Sequence, residues 1–441
     1  MSSTPLAVPA SPSSSKRSRS RDSSRSNATS AFNTPSANTP FHTPNASAPS
    51  LIIPQDAPAI VEPSPQDPTP YPAFLRQPAE IHTKFTDLEW EQRRRLADGA
   101  QNGEAEQPSQ WAKCGGDEVL NRNRYANVDP YRNNRVRLKV PEGHSDYINA
   151  SPIVLESTKS QKVTKFIATQ GPKSESFSHI WRMIWHETKS PAVIVMLTQT
   201  HESNREKCYP YYPRSPTSPS FPINASDEFE DGFQHSVNLI NLTNNEEARA
   251  QVRELEMVST DGSDTRQIWH LLFGGWPDFL VPEGADRAAL LHLVEMSREK
   301  NLDNSDNPRI VHCSAGVGRS GTFIALDWLL QELEEGSLDE LDDKVDPIAS
   351  VVETLRQQRM MMVQGEPQFL FLYDVIRERW RARWATLHPE DAERLGVSSS
   401  VRKPSPKRPK SSKDLDGDED MHAELESELA DAQADFEKGK T

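Results

Sequence analysis

The chain has 441 residues, 35 prolines, three cysteines and a formal net charge of −15. No apolar run reaches the roughly 18–20 residues that a membrane span needs, and the first residues lack the apolar stretch of a secretory signal. This predicts a protein of the cytoplasm, with the nucleus as a second address, that makes no membrane contact. Cys114, Cys208 and Cys313 are too widely spaced for a disulfide framework or a zinc site, so neither a metal nor a cofactor is expected.

The first 72 residues hold 14 of the prolines and 16 serines. So little apolar material cannot offset the entropy of ordering, and residues 1–71 read as a disordered Ser/Pro-rich tail. Residues 402–413 carry six basic and no acidic side chains, whereas 414–437 carry eleven acidic and none basic. Residues 387–441 accordingly read as a second disordered tail, basic and then acidic. The segment between the tails is net acidic, which argues against a nucleic-acid partner.

Within 72–386 the apolar spacing predicts a helix over Ala73–Leu96 with Phe85, Leu88 and Trp90 as anchors, then a loop over 100–120. Lys165–Thr169 reads as a strand and Phe177–Trp185 as a helix. The run Ala192-Val193-Ile194-Val195-Met196-Leu197 has the continuous β-branched character of a central buried strand. The Pro/Ser-rich stretch 214–224 reads as an inserted exposed loop. Helical spacing returns at Arg287–Met296, a short strand at Arg309-Ile310-Val311, and a helix at Thr322–Leu330. Mixed strands and helices without a repeat give an α/β (α+β) domain.

The chemistry concentrates in Val311-His312-Cys313-Ser314-Ala315-Gly316-Val317-Gly318-Arg319-Ser320-Gly321. A strand, a Gly-containing turn and a helix start in succession aim backbone N–H groups and a helix dipole at one point, a cradle for an anion. Such surroundings lower a cysteine's pKa, and the thiolate is the nucleophile. Arg319 can return over the loop to grip two phosphate oxygens at once. A nucleotide-binding G-x-x-x-x-G-K-S/T loop is excluded, because the basic residue here is arginine.

The stretch resembles the H-C-x5-R-S/T signature loop of the protein tyrosine phosphatases, a pattern that dual-specificity and lipid phosphatases share. Two further segments narrow the resemblance to the phosphotyrosine-selective branch, and the long N-terminal tail is similar to that of its fungal-type non-receptor members. Trp276-Pro277-Asp278 lies 35 residues before Cys313, as the general-acid loop does in that family. Tyrosine is a poor leaving group, so a carboxylic acid must protonate the departing phenolate and a carboxylate must then activate water. Asn123-Arg124-Tyr125 with Val128 is similar to the substrate loop of that branch.

The resemblance spans about 72–386. It implies a central, highly twisted mixed sheet flanked by helices. It also assigns Cys313 as nucleophile, Arg319 as phosphate clamp and Asp278 as general acid and base. Ser320 would assist release of the thiolate, and Gln364 would position the hydrolytic water. Ser314, Ala315, Gly316, Val317 and Gly318 would bind phosphate. Tyr125, Val128 and Phe279 would wall the pocket, with Gln368 and Asn127 also at the substrate. His312, Glu202, Lys207 and Trp276 would support them: Glu202 paired with Arg319, Lys207 near the acid, and His312 tuning the thiolate.

Three positions and one short segment depart from the family pattern. Asn127 stands where an aspartate is usual, Leu280 where a glycine is usual, Met361 where a glycine opens a second pocket, and Gly365-Glu366-Pro367 where the glutamine loop normally carries threonine. The resemblance implies hydrolysis of phosphotyrosine in proteins through a cysteinyl-phosphate, by a monomer. Tyrosine-phosphorylated proteins, MAP kinases among them, would be substrates, and the Ser/Thr-Pro pairs of the tails would suit proline-directed kinases. A dual-specificity or phosphoinositide phosphatase and an inactive phosphotyrosine-binding scaffold are the competing readings.

Overall fold

The computed structural model describes residues 68–76, 80–277, 280–302 and 304–397. Both expected tails lie largely outside them, as do Asp278 and Phe279. The chain opens with α1 (Ala73–Arg76), α2 (Ile81–Gln101) and α3 (Asp117–Arg122). There follow β1 (Ala150–Glu156), β2 (Val163–Thr169), α4 (Phe177–Glu187), β3 (Ala192–Met196) and a small hairpin of β4 (His201–Glu202) and β5 (Arg205–Glu206). β6 (Ser220–Ile223), β7 (His235–Asn245), β8 (Ala250–Ser259) and β9 (Thr265–Phe273) precede α5 (Gly284–Lys300), β10 (Arg309–His312) and α6 (Gly318–Glu334). The last elements are α7 (Pro347–Gln358), α8 (Glu366–Leu387) and α9 (Pro389–Leu395).

Eight strands form one mixed sheet in the order β1-β2-β10-β3-β9-β8-β7-β6. Its centre, β2, β10, β3 and β9, is parallel; the flanks are antiparallel. Helices cover both faces, so the central strands must be apolar on both sides. β3 shows this directly: Val193, Val195 and Leu197 enter the core packed by α5, α6, α7 and α8, whereas Ala192, Ile194 and Met196 enter the core packed by α4. Each fully buried Val or Ile there contributes about 1.5–3 kcal/mol. The expected class, a mixed twisted sheet flanked by helices, is the observed one.

Details differ from the sequence reading. The expected helix over Ala73–Leu96 is two helices, α1 and α2, with Pro78 in the sequence between them; proline removes a helical N–H and clashes with the preceding turn. Phe85 and Leu88 pack on the core, but Trp90 is 61% exposed and carries the Arg93 guanidinium over its ring. α2 and α3 cut into the expected loop at 100–120 from both ends. The expected exposed loop 214–224 contains β6, whose Ile223 is fully buried against the α4 core. β6 is an edge strand, and Pro222 blunts that edge. Beyond the expected domain limit at 386, α9 folds back so that Ala392 and Val397 bury against Ala385. None of the described helices is long and apolar enough to cross a membrane.

Candidate active site

β10 is central and fully buried, so its carboxyl end delivers His312 and Cys313 to the middle of the sheet's upper edge, where open α/β sheets place their ligands. The loop Cys313–Val317 then climbs into α6 at Gly318. Each loop carbonyl is tied to the scaffold. His312 O accepts from Leu197 N (2.9 Å), Ser314 O from Gly171 N (2.9 Å), and Val317 O from Gly321 N (2.9 Å) and Val363 N (3.2 Å). Ala315 O and Gly316 O accept from Arg359 Nη2 (3.1 Å) and Nε (2.8 Å). In a trans peptide the N–H points opposite to the C=O. Fixing the carbonyls on the scaffold therefore turns the N–H groups of the loop toward its mouth. Gly316 N–H does so, donating to Cys313 Sγ at 3.3 Å.

Gly316 must be glycine on two counts. Its φ is +71°, and a Cβ there would lie 2.1 Å from the Thr169 carbonyl oxygen. Gly321 permits a second close approach, since its Cβ would lie 2.4 Å from Val363 N. The segment it meets is strained: Met361 and Val363 have φ of +60° and +56°, a conformation that a β-branched residue rarely holds.

Cys313 is buried, and Ser320 Oγ donates to its sulfur at 3.4 Å. Arg319 lies across the loop with its Nη1 and Nη2 on Glu202 Oε1 (2.6 Å) and Oε2 (2.8 Å), and Nη1 also donates to Leu197 O (3.1 Å). Thr198 Oγ1 (2.7 Å) and Gln199 N (3.3 Å) donate to the same Glu202 oxygen. Glu202, on the β4–β5 hairpin, thus sets the orientation of the guanidinium plane.

His312 is fully buried, and burial pushes its pKa down to about 4. Its neutral ring meets Cys313 O through Nδ1 (3.2 Å) and Tyr211 OH through Nε2 (2.7 Å). A carbonyl can only accept, so Nδ1 carries the proton and Nε2 accepts from the tyrosine hydroxyl. Burial holds Tyr211 well above its usual pKa, and so protonated and a donor. His235 is likewise lowered to about 4 by burial, and His270 well below its usual value for the same reason. Between about pH 6.5 and 4 the unfolded chain binds protons that these buried rings refuse. Stability is therefore greatest above the unfolded value and is lost as the pH falls toward 4. The expected result is a melting temperature that drops steadily over that window, measured by scanning calorimetry, with a shallower drop in His235→Phe.

The remaining candidates divide. Tyr125 OH reaches Ser314 Oγ at 2.8 Å; that hydroxyl in turn donates to Lys207 O (2.9 Å), so tyrosine is the donor. Val128 is buried in the main core, and its carbonyl accepts from Asn149 Nδ2 (2.7 Å), while Asn127 is exposed beside it. Gln368 and Gln364 converge on the far wall: a Cβ on Gly318 would lie 3.1 Å from the Gln368 amide and 3.3 Å from Gln364 Cβ. Gln368 Oε1 accepts from Gln364 N (3.1 Å). Met361 packs partly buried on the main core, with its N–H on Gln92 Oε1 (3.0 Å). Trp276 is buried, and its Nε1 donates to Leu280 O at 3.0 Å. That bond bridges the segment holding Asp278 and Phe279, which lie outside the described residues.

Two residues that sequence reasoning missed complete the site. Tyr211 fixes the tautomer of His312. Arg359, fully buried, holds Ala315 and Gly316 from beneath and also donates to Ser151 Oγ (3.2 Å) and Asn149 Oδ1 (2.8 Å). Burial lowers its pKa to about 10, so it stays charged at neutral pH. Its only sequence signal was an arginine at the head of a short apolar stretch, Met360-Met361-Met362-Val363. Among the described residues no group of three or more His, Cys, Asp or Glu side chains is placed to hold a metal ion.

The profile of the protein-tyrosine phosphatase family matches residues 119–378. Tyrosine-protein phosphatase 1 of Saccharomyces cerevisiae is 34% identical over 332 residues, covering 69% of this chain and 96% of that protein. The tyrosine-protein phosphatase Lar-like of Caenorhabditis elegans is 36% identical over 269 residues; the match covers 60% of this chain but spans 11% of that protein's length. The solved catalytic domain of human protein tyrosine phosphatase non-receptor type 18 matches with a TM-score of 0.54 at 27% identity, over 70% of this chain and 99% of that one. The same enzyme in complex with HER2-pY1196 phosphopeptides gives 0.54 at 28%, over 68% and 92%. The matched span contains the cysteine loop, its arginine and the sheet that presents them, and the chain belongs to the protein-tyrosine phosphatase family of phosphoric monoester hydrolases.

Proposed function

We propose that the chain hydrolyses phosphotyrosine in proteins by way of a cysteinyl-phosphate. The observation that carries this reading is the convergence on Cys313 Sγ of a loop N–H and the Ser320 hydroxyl, beneath an arginine fixed by Glu202. The Cys313 thiolate attacks phosphorus while Arg319 and the loop N–H groups hold the non-bridging oxygens, the charge-stabilising arrangement that supplies most of such a rate. As the S–P bond forms and the P–O bond breaks, the Asp278 carboxylic acid gives its proton to the phenolate. Water placed by Gln364 then loses a proton to the Asp278 carboxylate and attacks phosphorus. The S–P bond breaks, phosphate leaves, and Ser320 O–H stabilises the returning thiolate.

Tyr125, hydrogen-bonded to Ser314, gives the pocket an aromatic wall. Such a wall would deepen the pocket so that phosphotyrosine reaches the sulfur and phosphothreonine falls short of it. The test is a panel: turnover of a phosphotyrosine peptide, the same peptide with phosphothreonine, and a phosphoinositide, with rapid-quench trapping of the phosphoenzyme. Phosphotyrosine-selective turnover with phosphate on Cys313 is expected. Equal turnover of phosphothreonine, or label on another residue, overturns the reading.

Tyrosine-phosphorylated proteins, MAP kinases among them, are the proposed substrates of a cytoplasmic monomer that also enters the nucleus through Lys407-Arg408-Pro409-Lys410. Capture by Asp278→Ala of a tyrosine-phosphorylated MAP kinase, with none held by the wild type, tests the partner. Asn127 faces the incoming peptide as a neutral acceptor. A carboxylate there would accept the same backbone N–H groups with charge assistance. Asn127→Asp is therefore expected to raise kcat/KM for phosphopeptides about twofold to tenfold, with little change for a small aryl phosphate. Unchanged peptide kinetics would remove Asn127 from the substrate site.

A further inference from the structure

Three elements meet where the chain leaves β9 for Trp276. The last pair of the β8–β9 ladder, Ala250 with Phe273, sets the β7–β8 turn beside Gly274 and Gly275. In that turn Arg249 is held at φ +44°, and its Nη1 lies 3.3 Å from Asp286 Oδ1 in the first turn of α5. The same oxygen is pressed against Gly275: a Cβ there would lie 2.4 Å from Oδ1 and 2.8 Å from Asp286 Cγ. Buried as it is, Oδ1 accepts no aligned hydrogen bond among the described residues. Burial also raises the carboxyl's pKa, against the pull of Arg249. An acid in a helix's first turn ordinarily serves the helix dipole. That role would be met by a carboxylate turned to solvent, whereas this one is turned inward onto a backbone that has given up its side chain to admit it.

We propose that Asp286, clamped by Arg249 and wedged against Gly275, is a positioning residue for the backbone that carries the general acid. The contact fixes Cα of Gly275, one residue before Trp276 and three before Asp278. The far end is fixed by the Trp276 Nε1 bond to Leu280 O. A shift of about 1 Å at such an anchor is enough to lower a rate by about a hundredfold when it misplaces a reacting group. Of the two steps that Asp278 would serve, protonation of the leaving oxygen and deprotonation of the hydrolytic water, only the first depends on the ester, so the effect on kcat/KM must grow with the leaving group's basicity. The inference rests on the reading of Asp278 as the acid.

The test compares phenyl phosphate, whose leaving group needs a proton, with 4-nitrophenyl phosphate, whose leaving group needs it far less, using the full chain. In Gly275→Ala the added methyl meets Asp286 and, at 2.9 Å, Phe273 Cζ; kcat/KM for phenyl phosphate is expected to fall about tenfold or more, while kcat/KM for the nitrophenyl ester falls by less than about threefold. Asp286→Ala, which loses the clamp without a clash, is expected to lose about twofold to fivefold on phenyl phosphate. The double variant Gly275→Ala/Asp286→Ala removes the clash with Asp286, leaves the contact with Phe273 Cζ, and is expected to recover part of the loss toward the level of Asp286→Ala. Equal losses on both esters, no loss on either, or a double variant no better than Gly275→Ala overturns the proposal. If Gly275→Ala does not fold, the Asp286→Ala comparison decides alone. Asp278→Asn separates the two readings: if it leaves the ratio of the two esters unchanged, the acid assignment fails. If it changes the ratio and Asp286→Ala does not, only the positioning role fails.

Discussion

Cys313→Ser is expected to abolish turnover of every phosphate ester, by about 10⁵-fold or more, while the protein stays folded and still binds phosphopeptide. The loss follows from what the loop offers. Its amides and the Ser320 hydroxyl stabilise an anion on the residue-313 side chain, but a serine hydroxyl is far too weak an acid to supply one at neutral pH. It would need a general base beside it. His312, the nearest imidazole, cannot serve: its Nδ1 proton is committed to the Cys313 carbonyl and its Nε2 accepts from Tyr211. Binding survives because Arg319 and the loop N–H groups are set by Glu202, Arg359 and the carbonyl bonds rather than by the sulfur. The melting temperature should stay within about 5 °C of wild type. Residual hydrolysis within about a hundredfold of wild type would place the nucleophile elsewhere.

Arg359→Met should be the most destabilising single change in the site, by about 3–5 kcal/mol. Methionine fills much of the volume but donates nothing. Gly316 O, Ala315 O, Asn149 Oδ1 and Ser151 Oγ would each lose a charged donor in a place where no solvent reaches the arginine. A buried acceptor left unmade costs about 1–3 kcal/mol, so the sum exceeds the expected value unless the loop relaxes. Relaxation has its own penalty: once released, Ala315 O and Gly316 O are free to turn inward, presenting carbonyl dipoles to the phosphate. The folded fraction should therefore also lose kcat/KM, by about a hundredfold. Urea titration gives the first number and phosphopeptide kinetics the second. A variant as stable as wild type would show that the loop carries its own conformation.

The cysteine loop, its arginine and the strand that feeds it were legible because local chemistry dictates them: a thiol, glycines and a guanidinium at fixed spacing admit few folded arrangements. β3 was legible for a different reason, since a strand covered on both faces has no room for polar residues. What escaped lies far away along the chain. Arg359 acts on residues 149–151 and 315–316, and Tyr211 on His312, with no local pattern to mark either. Trp90 was misplaced because an apolar ring at helical spacing reads as core, whereas here it covers a guanidinium at the surface. β6 hid inside a stretch rich in proline and serine because an edge strand tolerates both, and only its pairing with β7 shows it.

The tethering of the loop carbonyls also has a consequence in time. Gly171, Leu197 and His312 hold the loop from residues made before or with it, but Arg359 and Val363 hold it from residues made later. At about 5–20 residues per second, the 50 residues from Cys313 to Val363 take roughly 3–10 s to synthesise. During that interval the nascent chain carries its reactive thiol without the grip that shapes the phosphate cradle. A ribosome-bound fragment ending short of Arg359 is therefore expected to show no phosphatase activity, which should appear only once the last helices have been made.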